Sequence, residues 1–134
     1  MIADEVAKYL TSLGLGTYGV DVYCNKMPDT PNECVCVYDA NTWRYQAGSA
    51  LSMDHQGVEI DIRTNDYQSA KAKYKLIHNN IMAFGGYLVA GGQLVDHVDC
   101  DIAPTYVGCD QDNRYLWSSR YRLLVKSSGD VYRL

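Results

Sequence analysis

Val58-Glu59-Ile60-Asp61-Ile62-Arg63-Thr64-Asn65 opens the stretch that decides the fold, and the stretch runs on to Phe84. Val58, Ile60 and Ile62 alternate with Glu59, Asp61 and Arg63, which gives an extended segment one apolar and one charged face. Beyond Thr64 and Asn65 the period changes. Tyr67, Ala70, Tyr74, Ile77, Ile81 and Phe84 recur every three or four residues until Gly85-Gly86 ends the pattern. A half-buried strand therefore passes directly into an amphipathic helix laid back on a sheet.

Toward the N-terminus, Ile2, Val6, Tyr9, Leu10 and Leu13 share one side of a helix, with Asp4 and Glu5 in its first turn and Gly14 just past its end. Val20, Val22 and Cys24 make a short strand, Met27 to Asn32 with Pro28 and Pro31 a turn, and Cys34 to Tyr38 a near-continuous apolar strand suited to a central position. Asp39 to Gln56 has no sustained period and is long for a connection. Toward the C-terminus, Val98, Cys100 and Ile102 alternate with His97, Asp99 and Asp101 in a strand that Pro104 is expected to end. After a turn-like Gly108 to Asn113, Tyr115 to Lys126 puts Tyr115, Trp117, Tyr121, Leu123 and Val125 on one face and Ser118, Arg120, Arg122 and Lys126 on the other. Segregated hairpins predict an α+β fold, a mainly antiparallel sheet of about five strands with two α-helices packed on one face. The 134 residues predict a single domain, 1–134, with a long loop 39–56 and a polar tail 127–134.

Twelve tyrosines and two tryptophans against one phenylalanine favour surfaces buried by a partner, because these rings combine apolar area with a polar handle. A net charge of −4 without any basic run argues against a protein that grips nucleic acid from outside. Five cysteines, an odd number with no apolar leader before them, suggest a reducing cytosol, with Cys24, Cys34, Cys36 and Cys100 as small packing residues in strands. No apolar run approaches the ~20 residues that cross a bilayer, so no membrane association is expected.

Glu59 and Asp61, with Asp29, have the residue types of a metal-dependent nuclease, but Arg63 stands where such a site places lysine, and a solvated strand face accounts for the two acids. His97, Asp99, Cys100, Asp101, Cys109, Asp110 and Asp112 hold the right donors for zinc or calcium at the wrong spacing. There is no nucleophile elbow and no cysteine signature with His55, His78 or His97, and neither Gly85-Gly86 nor Gly91-Gly92 opens a helix as a phosphate loop does. The residues assign no catalytic, cofactor-binding or metal site. A non-enzyme is expected.

The order of pieces carries a family likeness. The opening helix, the Met27-Pro28-Asp29 turn, Val58 to Arg63 leading into Tyr67 and Ala70, Pro104 with Val107-Gly108-Cys109-Asp110, and Asn113-Arg114 before the last strand resemble the tail terminator and minor capsid proteins of long-tailed bacteriophages. The resemblance implies a structural virion protein at the head-proximal end of the tail, assembled in the host bacterial cytoplasm. It implies a ring, typically a hexamer, that caps the tail tube, meets head-completion or stopper proteins, and lets DNA pass through its lumen without sequence-specific binding. Within that reading Trp43, Arg44 and Tyr45 are an expected partner or subunit anchor, the alternative being a lid of Trp43 and Tyr45 over the protein's own sheet. Glu59, Asp61, Asp99 and Asp101 are candidate lumen acids. Another neck component, or a small cytosolic α+β enzyme or ligand-binding domain, is the competing expectation.

Overall fold

The computed structural model describes residues 2–40, 53–83, 88–89 and 93–127; Trp43, Arg44, Tyr45, most of the long loop, Phe84, both glycine pairs and the tail past Ser127 lie outside them. In chain order the elements are α1 (Ile2–Ser12), β1 (Val22–Cys24), β2 (Cys34–Asp39), β3 (Met53–Thr64), α2 (Tyr67–Met82), β4 (Leu88–Val89), β5 (Gln93–Cys109) and β6 (Tyr115–Ser127). They build one sheet in the order β1-β2-β3-β6-β5-β4. The sixth strand, beyond the five expected, is the two-residue β4. Every pairing is antiparallel except β1 with β2.

The register shows why the two-residue alternation separates two faces. Val35, Ile62 and Trp117 line up across β2, β3 and β6, as do Val37, Ile60 and Ser119. Cys36, Asp61 and Ser118, then Tyr38, Glu59 and Arg120, form the intervening rows and face the other way. Ala3, Val6, Ala7 and Leu10 of α1 and Ala70, Ile77 and Ile81 of α2 join the first face in one core cluster. Each fully buried Val, Leu or Ile there contributes roughly 1.5–3 kcal/mol. Tyr74 stacks on Trp117 with ring centroids 4.4 Å apart, and Tyr121, fully buried, shares a 2.7 Å hydrogen bond with His78 Nδ1. No described helix lies on the second face.

Helix α2 starts at Tyr67, where the period begins, because Asp66 caps it. Its backbone is extended, at φ −127°, and its carboxylate accepts from the Ser69 amide at 3.0 Å and the Ser69 hydroxyl at 2.8 Å. The hydroxyl first, then the amide, hold the Asp66 carboxyl below its usual range. Asp66→Ala leaves first-turn amides without this acceptor and should lower Tm by about 5 °C in a thermal scan; an unchanged Tm would mean the cap adds nothing.

Three expectations are corrected. The loop expected over 39–56 ends earlier, because β3 begins at Met53, where it pairs with Lys126 of β6. The first pair of strands is parallel rather than a hairpin, so Asn25–Glu33 must carry the chain back along the sheet. Pro104 does not end its strand: β5 continues to Cys109. Beyond Leu94 the outer side of β5 has no partner among the described strands, where a missing N–H costs no ladder bond, and the pairing with β6 shifts register between Ile102 and Thr105. A further shift between Cys100 and Ile102 breaks the apolar alternation, and both residues are exposed although Val98 is buried.

Candidate functional site

Two buried arginines meet at the end of the sheet where β3 stops and β6 begins, and both hold the crossing loop between β1 and β2. Arg63 donates from Nε to the Asn32 carbonyl at 3.1 Å and from Nη2 to the Pro31 carbonyl at 2.6 Å. Arg114 donates from Nη1 to the Asp29 carbonyl at 2.6 Å, from Nη2 to Asp29 Oδ1 at 3.0 Å, and from Nε to Asp110 Oδ2 at 2.7 Å. Their exposures are 5% each. The planar guanidinium fork suits this work, since one side chain satisfies carbonyls and carboxylates lying in different directions.

The β5–β6 turn presents Asp110 to that cluster. Asp110 Oδ1 accepts from the amides of Asp112 at 2.9 Å and Arg114 at 3.0 Å, and Asn113 takes the left-handed conformation at φ 59°. Burial alone would push the Asp110 carboxyl up, but those amides and the Arg114 guanidinium outweigh it and hold it low. The hydrogen bond from Arg114 to Asp29, then that to Asp110, keeps the guanidinium protonated still more firmly. Asp29, named above among nuclease acids, is thus an ion-pair partner of Arg114, and Arg63 faces loop carbonyls. Among the described residues no three His, Cys, Asp or Glu side chains group as metal ligands.

The candidate lumen acids divide by environment. Glu59 pairs with Arg120 at 2.9 Å, and Asp61 accepts from the Ser118 hydroxyl at 2.7 Å; both lie on the helix-free face and are partly buried. Asp61 is pushed up to about 7, first by burial and then, against the Ser118 hydrogen bond, by Glu59 beside it. Asp99 is half exposed, between His97 at 2.7 Å and Arg122 at 3.7 Å. Asp101 is exposed. Cys34 and Cys36 are buried on the helix-free face, and burial pushes both thiols up, whereas Cys100 and Cys109 are exposed on β5.

The arginine clamp escaped the reading of the sequence. Its available signals were an arginine at the end of the Val58–Arg63 alternation, Asp110 four residues before Arg114, and Asp29 in a proline-flanked turn. All four residues fall within the segment that matches a known family, since residues 9–126 match the family described as bacteriophage tail terminator protein. The fold is also that of a chain solved in the virion of a native gene transfer agent particle, at 16% identity, covering 94% of this chain and 88% of that one, with a TM-score of 0.52. A second solved chain is 12% identical, with coverages of 91% and 89% and a TM-score of 0.48. No curated protein matches the chain. The class defined is a structural, tail-associated phage protein. This chain belongs to the bacteriophage tail terminator family.

Proposed function

We propose that the protein forms a closed ring, of six copies, that caps the tail tube and joins it to the head-completion or stopper proteins while DNA passes through its lumen. The family match over residues 9–126 carries this reading, and the shared fold with a chain from a phage-like virion supports it. It is a structural role and asks for no catalytic group. The test is assembly without the chain: filled heads and tails should accumulate unjoined, and adding the purified protein should restore joining. Normal yields of joined particles without it would refute the role.

The helix-free face of the sheet suits a lumen because Arg120 and Arg122 on it each face an acid. Glu59 is matched by Arg120, and Asp99 by Arg122. Such a wall has no excess cation to hold phosphates by counterion release. Glu59→Gln with Asp61→Asn would leave Arg120 without a neighbouring carboxylate, so DNA ejection should slow at low salt, where screening is weakest, and recover as salt rises. Ejection indifferent to salt and to this change would place the face elsewhere.

A further inference from the structure

Two unlike exposed surfaces each offer what the other lacks. The first is the outer edge of β5, unpaired among the described strands beyond Leu94, where Ile102 is 47% and Val107 59% exposed beside the acids Asp99 and Asp101. Long exposed apolar edges are a hazard that natural proteins cover. The second is a cleft of about 590 Å³ between the Gly14–Asp21 loop, which leads into β1 at the opposite edge of the sheet, and the outer side of α2. Gly14, Gly16, Ala72, Lys73 and Leu76 line it, with Leu76 49% exposed. Helix α2 contains no acid but has Lys71, Lys73 and Lys75, which form no ion pair among the described residues, and of the three Lys73 lines the cleft. Asp21, the acid in the cleft, accepts from the Thr17 amide at 2.6 Å.

We infer that the β5 edge of one copy seats in this cleft of the next, the exposed Asp101 meeting Lys73 while Ile102 covers Leu76. The occupant is a second copy because charge and apolar area are complementary within the same chain. The contact is head-to-tail because the two surfaces differ, and such contacts close into rings when the rotation permits. This inference rests on the ring reading and identifies the subunit contact within it.

The test is charge reversal read by mass photometry, with circular dichroism as a check on folding. Lys73→Glu, or Asp101→Lys, should each weaken self-association about tenfold or more, because like charges then face each other. Mixing the two reversed proteins should restore the assembly, since every contact in an alternating ring is again between opposite charges. A wild-type ring indifferent to both reversals, or weakening that mixing does not repair, overturns this contact and leaves the ring standing. A wild-type chain that stays single both in solution and on tail tubes overturns the ring and this contact together.

Discussion

Arg114→Ala should lower Tm by roughly 10 °C or more, the largest loss of any single side chain outside the apolar core. Arg114 is 5% exposed, and its guanidinium holds the Asp29 carbonyl and carboxylate together with Asp110. Its removal leaves Asp110 partly buried without its cation and frees the crossing loop that lets β1 lie parallel to β2. Arg114→Lys should recover little, because one ammonium cannot reach Asp29 and Asp110 in the directions the fork serves. A melting curve for Arg114→Ala within a degree or two of wild type would show that the clamp is not what secures this end of the sheet.

Asp61→Asn should make the protein more stable at pH 8 and leave it unchanged at pH 4. The folded-state pKa of Asp61 is raised, so its proton binds more tightly in the folded than in the unfolded chain. The corresponding stability is fully present below the unfolded value near 4, and it is lost as pH rises through about 7. Above that range the wild type holds a partly buried carboxylate beside Glu59, which the amide does not. The gain at pH 8 is about 2 to 4 kcal/mol, and the amide can still accept from Ser118. Denaturant unfolding at both pH values measures it; a variant less stable than wild type at pH 8 would contradict the assigned burial.

Local alternation made most of the fold readable. Glu59 to Arg63 and the Tyr67 to Ile81 period each depend on neighbours a few residues away; α2 follows its period closely, and β3 contains its alternation but starts earlier, at Met53, where pairing with β6 extends it. What escaped depends on distant residues. The parallel course of β1 is set by Arg63 and Arg114 reaching across to Asp29, Pro31 and Asn32, and a pattern of period two holds no record of that. Pro104 is tolerated because β5 is an edge there, which only the strand order reveals. The acids read as one class from composition proved to be four environments, since a carboxylate's character lies in what stands across from it: Arg120 for Glu59, Ser118 for Asp61, His97 and Arg122 for Asp99, and solvent for Asp101.

The central claim is a ring of this chain at the head-proximal end of the tail tube. Electron cryomicroscopy of intact particles tests it most directly. The prediction is a single closed ring of six copies between the last tube layer and the head-completion proteins, with the β5 edge of each copy against α2 of its neighbour. Density for the chain elsewhere in the particle, or as separate monomers or two-fold dimers in the neck, would contradict it.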